Sequence, residues 1–405
     1  MFRWKCFPKV IPIPEVEFSF DVTFLWPLLT PQISTLEVQL RDPNDRKYPL
    51  FLQHYPILCP NLKSIKFNFL YGADTEPHAR QIASQALYRS ICSNAGRQHV
   101  EIYGVPIDDA VLKHLGMSPI LRTVSLTLDP QAPWWDTCFG PRDTPFCNAT
   151  DLVLKLPHSF DVAKCLLRPR DQPFRSFEVD LSAQIVTSEL SALLTALAAS
   201  PRRIDSLQSV VIKHLRSSEV VGTRVVRPAP ERLSSEMFRP LTALTHLRRL
   251  GIFLKHQVSL NDEEFADLVR NWPRLEVLKI AYNLEYGERE LESLTLKGFL
   301  SVLVSCLELR EIPLPLDARK VPVGAYPHSN FCNPLITSPI AFLNAPIEDP
   351  NLVAEFLQKH LPSMPGVDAR LYFMPSEKMK AFNLEVGRWS QVNQRIGHPN
   401  FNLRT

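Results

Sequence analysis

The feature that most constrains this chain is a phrase that returns along it: an amphipathic helical stretch, a break, then apolar-x-x-apolar-x-apolar. The fullest copy occupies residues 261–280. Phe265, Leu268, Val269 and Trp272 fall on one helical face, Pro273 stops the helix, and Leu275, Leu278 and Ile280 follow as a strand. A unit of this kind has an apolar face that it cannot bury alone, so it must stack on copies of itself. The expectation is a solenoid, and a solenoid offers a surface for holding something.

Local start signals support the helices. Asn261 is placed to cap its helix, Glu264 stands three residues on as capping-box partner, and Leu260 with Phe265 fits a hydrophobic staple. Residues 187–200 set Leu190, Leu193, Leu194 and Leu197 at i, i+3, i+4 and i+7, end at Pro201, and lead to Leu207, Val210 and Ile212. Residues 51–67, 111–126, 238–252 and 296–314 are further copies. Strands are expected near Leu36, Ile65, Val100, Val124, Leu152, Phe177, Val210, Leu250, Leu278, Ile312, Ile340 and Leu371. Their mean spacing is about 30 residues, longer and less regular than the 20–29 of a regular leucine-rich repeat. An ordinary α/β domain shows the same alternation of helix and strand, but no strand here is followed by a glycine-rich ligand turn.

Composition narrows the function classes. In 405 residues, 45 basic and 42 acidic side chains leave a formal charge of +3, too little to suggest nucleic acid or an anionic membrane as partner. The N-terminal stretch is broken by Pro8, Pro12 and Pro14 and forms no signal-peptide core, and no run reaches the roughly 18 apolar residues needed to span a bilayer. A cytoplasmic or nuclear location is expected. The eight cysteines are scattered without a C-x-x-C pair, which suits free thiols in a reducing compartment. Cys59 and Cys306 each precede a strand phrase, where a small buried thiol closes the preceding helix. Cys138 and Cys147 bracket a proline-containing loop and could pair on oxidation, which a reducing compartment disfavours.

Signatures of catalysis are missing: the sequence has no G-x-S-x-G, G-x-x-x-x-G-K-[ST], H-E-x-x-H or G-x-G-x-x-G. His256 near Asp262, Glu263 and Glu264 suggests a metal site, but those acids sit in a first helical turn, where they complement the helix dipole. No catalytic residue, metal ligand or cofactor is assigned. The chain is expected not to be an enzyme, the contrasting reading being an α/β enzyme whose site is dispersed in sequence.

Binding residues follow from strand alternation. If Leu278 and Ile280 point inward, Lys279 faces the concave side, and the same rule nominates Lys66, Glu101, Tyr103, Glu178, Asp180, Lys213, Arg249 and Phe253. Mixed charges with aromatics suit a protein target rather than a polyanion. The loop at 129–148 interrupts the repeat with Trp134 and Trp135, which are either packed on the solenoid edge or used as an anchor for a partner.

The phrases Thr35-Leu36-Glu37-Val38, Cys59-Pro60-Asn61-Leu62-Lys63-Ser64-Ile65 and Trp272-Pro273-Arg274-Leu275-Glu276-Val277-Leu278 are joined by Ile347-Glu348-Asp349-Pro350, Val353-Ala354-Glu355-Phe356-Leu357 and then Trp389. In these the chain resembles the leucine-rich-repeat proteins of mushroom-forming, basidiomycete fungi that usually carry an N-terminal F-box. The resemblance covers nearly everything beyond about residue 25. It implies a substrate receptor that tethers a target to a cullin-based ubiquitin ligase, with an F-box-binding adaptor and a cullin as partners. Residues 1–27 show no recognisable F-box and are expected to form an N-terminal segment or cap. Residues 28–375 are expected to form the repeat domain, and residues 376–405 a C-terminal cap or tail. The overall expectation is an α/β, irregular leucine-rich-repeat horseshoe, with parallel strands on its concave face and helices on its convex face. It would serve as a protein-binding scaffold, either within a ligase or standing alone.

Overall fold

A computed structural model describes residues 29–40, 47–69, 77–93, 96–107, 109–128, 139, 145–156, 172–181, 186–214, 232–254, 257–282, 294–322, 331–337, 339–343, 345–368 and 379–397. The chain divides into two compact units, Met1–Ala183 and Gln184–Thr405.

In the first unit, helices and strands alternate: β1 (Thr35–Leu40), α1 (Lys47–Leu58), β2 (Ser64–Phe69), α2 (Pro77–Cys92), β3 (His99–Ile107), α3 (Asp109–Gly116) and β4 (Thr123–Leu128). Two more strands follow, β5 (Asp151–Leu156) and β6 (Ser176–Leu181). Each strand pairs in parallel with the next. The register aligns Leu36, Ile65, Val100, Val124, Leu152 and Phe177 in one row and Val38, Phe67, Ile102, Leu126, Leu154 and Val179 in another, all buried. These rows are the apolar positions of the sequence phrase. Because side chains alternate along a strand, stacking the phrase in register builds one continuous core face.

A repeated backbone device sets that register. One carbonyl accepts two successive N–H groups from the start of the following strand: Ser34 O from Lys63 and Ser64, Lys63 O from Gln98 and His99, Gln98 O from Arg122 and Thr123. Arg122 O does the same for Thr150 and Asp151, and Thr150 O for Arg175 and Ser176. The sharing satisfies backbone donors that would otherwise be orphaned at each strand entry.

The second unit repeats the device with Gln208 O, Arg248 O and Glu276 O. Its elements are α4 (Thr187–Ala198), α5 (Pro201–Ser206), β7 (Ser209–His214), β8 (Arg232–Leu233), α6 (Ser235–Phe238), β9 (Arg249–Leu254), β10 (Gln257–Val258), α7 (Asp262–Val269), β11 (Val277–Tyr282) and α8 (Leu296–Ser305). The last are β12 (Leu314–Pro315), β13 (Ile340–Leu343), α9 (Pro350–His360), β14 (Val367–Asp368) and α10 (Met379–Arg395). β9 pairs in parallel with both β7 and β11, and β12, β13 and β14 form a three-stranded parallel sheet. The capping box is present: Asn261 Oδ1 accepts from the Glu263 and Glu264 N–H groups, and Glu264 Oε2 accepts from the Asn261 N–H. Asp262 carries the link onward by accepting from the N–H and hydroxyl of Thr295, the N-cap of α8. An Asn261→Ala variant is expected to lose about 1 kcal/mol of stability, measured by urea unfolding.

Some expectations shift. Pro201 does not simply end a helix: it opens α5, with the Ser200 side chain accepting from the Arg203 N–H, because the first helical turn needs no proline N–H. Near Ile312 the regular strand is β12, two residues later, although Val277 bridges Glu311 and the Ile280 N–H reaches Pro313 O. The position at Leu371 lies outside the described residues, and β14 precedes it. The parallel pair β8 with β10 was not signalled, since two residues show no periodicity. Cys59 and Cys306 are buried as free thiols. Cys306 Sγ approaches the carbonyls of Trp272 and Val269, and burial pushes its pKa up to about 12. Cys147 is a free thiol, while Cys138, Trp134 and Trp135 lie outside the described residues. Phe139 and Phe146 from the same loop are buried, and the Phe146 N–H donates to Gly116 O.

His360 gives the second unit a pH dependence. Its ring is buried against Phe356, with Nδ1 2.6 Å from Phe331 O. Burial lowers its pKa more than the Phe331 carbonyl raises it, and Lys359 lowers it further. A histidine depressed in the folded state lets the unfolded chain take up protons first. Stability is therefore complete above about pH 6.5 and falls as pH drops below it. Urea unfolding at pH 7 and pH 5.5 is expected to show that loss, and His360→Gln to make it shallower.

Candidate protein-binding faces

Opposite the core rows of the first unit stand three polar rows. The first is Thr35, Ser64, His99, Thr123, Asp151 and Ser176. The second is Glu37, Lys66, Glu101, Ser125, Val153 and Glu178. The third holds Gln39, Asn68 and Tyr103, with Thr127, Lys155 and Asp180 further along. The alternation that buries Ile65 and Phe67 leaves Lys66 on this side.

Lys66 is the hub. Its Nζ lies 3.2 Å from Glu37 Oε1 and 3.7 Å from Glu101 Oε2, and its side chain remains 39% exposed. Burial pulls its pKa down, but the Glu37 hydrogen bond and the Glu101 and Glu37 charges together outweigh that and hold it above the ordinary lysine value. The Tyr103 hydroxyl donates to Glu101 Oε2 at 3.3 Å, and Lys155 Nζ sits 3.9 Å from the centre of the Tyr103 ring. Burial raises the Tyr103 pKa, against a smaller opposing effect of the Ser125 hydroxyl, and Glu101 raises it further.

Tyr103 is the last residue of β3 in register with β2 and the first past the regular pairing with β4. Ile102 pairs with Leu126 and Ile107 with Leu128, so the register shifts across the residues between them. Gly104 lies within that shift with φ +82°, and its N–H reaches Thr127 Oγ1 at 3.3 Å.

Lys66, Glu101 and Tyr103 are thus brought together. Glu178 lies on the same face beside Val153, half-buried. Asp180 is in register with Lys155, but only 7% of it is exposed and it is engaged within the protein, so it offers little to a ligand. Glu37 and Lys155 were not nominated from sequence. The signal for Glu37 was the alternation in Thr35-Leu36-Glu37-Val38, which sets it opposite Lys66.

On the second unit, Lys213 is in register with Phe253, and Lys279 with Gly251, while Arg249 is exposed at the start of β9. Phe253 and Val211 flank Gly251 closely, forming a small apolar patch. Lys279 pairs with Glu311, and Arg248 Nη1 with Glu276 Oε1 at 2.6 Å. His256 lies outside the described residues, and Asp262 is committed to Thr295. Among the described residues no group of three or more His, Cys, Asp or Glu is placed to hold a metal ion, and no helix is long and apolar enough to cross a membrane.

No protein-family model matches the chain, and no curated protein matches it. Among solved structures it is similar to the complex of Rad7 and Elc1 from yeast, with a TM-score of 0.43 and 11% sequence identity over 80% of this chain and 73% of that chain. Similarity of that degree carries no argument by itself.

Proposed function

We propose that this chain is a non-enzymatic protein-recognition scaffold of irregular leucine-rich repeats, and that the polar strand face of its first unit is a recognition surface. The observation that carries the reading is the Glu37–Lys66–Glu101–Tyr103 cluster. Three successive parallel strands hold charged and aromatic groups in fixed register, half-exposed, where a partner meets them preorganised. Stacked repeats supply such a surface without a pocket.

The resemblance to fungal F-box leucine-rich-repeat proteins extends the proposal to a role as the substrate-recognition part of a cullin ubiquitin ligase. Co-purification of the chain from extract of its own cells tests that extension. Recovery of an F-box-binding adaptor and a cullin is the expected result. Recovery of other partners with neither of these would overturn the ligase role and leave a stand-alone scaffold.

A further inference from the structure

The sheet of β12, β13 and β14 ends at an edge that a helix closes with its side chains. Along one row of the ladder each residue gives its N–H to the following strand or its flank: Leu278 to Glu311 O at 2.9 Å, and Ile340 to Gly366 O at 3.1 Å. Val367 is in register with Ile340 and is the row's next member, so its N–H and carbonyl face away from β13. There they meet a single side-chain amide. Asn393 Oδ1 accepts the Val367 N–H at 2.8 Å, Asn393 Nδ2 donates to Val367 O at 2.9 Å, and both residues are buried.

The same helix, α10, also closes the segment before α9. Trp389 Nε1–H donates to Ala345 O, Arg388 Nη1 donates to Ile347 O, and Glu385 Oε2 accepts from the Ile347 N–H. Glu385, Arg388, Trp389 and Asn393 stand at i, i+3, i+4 and i+8, so one helical face supplies all four. Five backbone groups of the preceding chain are thus held by side chains of one helix, where inner strands are served by the backbone of the next. Leu384, Gln391 and Gln394 point to solvent.

We infer that α10 is an inhibitory cover: it closes a latent strand-pairing site at β14, and the partner it holds off is a second copy of this chain, β14 against β14 across a two-fold axis. The inference is independent of what the strand faces bind. Two observations carry the choice of occupant. Val367 turns both its N–H and its carbonyl to one edge, which is self-complementary in antiparallel pairing, since two copies of one residue then exchange both bonds. Such an isologous contact closes at two chains. The cover is also specific to the edge it hides. An apolar side chain at 393 would bury Val367 equally and leave both backbone groups orphaned, whereas the amide silences donor and acceptor together.

The test is sedimentation velocity of the full-length protein from about 1 to 100 µM, since mass action favours association as concentration rises. Arg388→Ala with Asn393→Asp removes the bond to Ile347 O and sets a carboxylate against the Val367 carbonyl, loosening α10 while leaving the Trp389 anchor in place. Wild type is expected to stay a single chain throughout, as is Gln391→Ala with Gln394→Ala on the exposed face of α10. The loosened variant is expected to be mostly dimer at the highest concentration and to return to single chains on dilution. Hydrogen exchange read by mass spectrometry locates the contact. Amides of residues 364–368 in that variant are expected to exchange at least tenfold faster than in wild type at low concentration and to regain protection at high concentration. Should the double variant lose native circular dichroism, Asn393→Asp alone takes its place. A natively folded variant that stays single at every concentration, association without recovered protection at 364–368, growth beyond two chains, or a wild type that dimerises as readily would overturn the inference.

Discussion

Trp272→Ala is expected to be among the most damaging single changes in the second unit, costing about 3–5 kcal/mol. Its indole is 1% exposed, at the turn between α7 and β11. It is among the largest fully buried side chains, so truncation leaves a cavity as well as losing apolar burial. A second loss is polar: Nε1–H donates to Leu241 O at 2.9 Å, and without it that buried carbonyl has one partner fewer. Trp272→Phe keeps an aromatic ring but removes the donor together with part of the indole, and a smaller loss than for alanine, about 2 kcal/mol, is expected. Urea unfolding followed by circular dichroism measures both. Trp389 makes the same kind of bond, from Nε1–H to Ala345 O at 2.9 Å. An indole reaching back to a carbonyl more than 30 residues earlier is thus used twice in this unit.

Gly104→Ala is the corresponding change in the first unit, with about 3 kcal/mol of destabilisation expected from strain and overlap together. At φ +82° an L side chain is disfavoured, and a Cβ there would run into the carbonyl oxygen of Phe69, which is backbone and has no rotamer by which to move aside. The strand must shift, and Tyr103, one residue earlier, shifts with it. The variant is therefore expected both to unfold more easily and to weaken whatever binds the Tyr103–Glu101 corner. A fall in stability with binding fully retained would dissociate the register shift from the face.

Most strand positions were legible in sequence because the apolar phrase and the structural repeat are the same object. Leu36, Ile65, Val100 and Val124 recur at irregular distances, yet each marks a strand, and the inserted residues lie between strands. The capping box at Asn261 was legible because its signal spans four residues. What escaped was chemistry without local periodicity. Arg97 and Arg203 are buried guanidiniums that each cap a preceding helix, Arg97 on Ser90 O and Ile91 O, Arg203 on Ala196 O and Leu197 O. In sequence they look like ordinary surface arginines. The binding face was half legible for a related reason. Alternation told which residues share a side, but only the register told that Glu37, Lys66 and Glu101 stand in line and that Lys155 reaches Tyr103. Register depends on the lengths of the intervening segments, which alternation does not encode.

The measurement that tests recognition by this face most directly is covalent labelling of lysines, read by mass spectrometry, in the protein alone and with its co-purified partner. Lys66 and Lys155 report on the strand face, whereas Lys113 on α3 and Lys359 on α9 are exposed on helices. The expected result is a severalfold drop in labelling at Lys66 and Lys155 with Lys113 and Lys359 unchanged. Protection of the helical lysines with Lys66 and Lys155 labelled as before would contradict it.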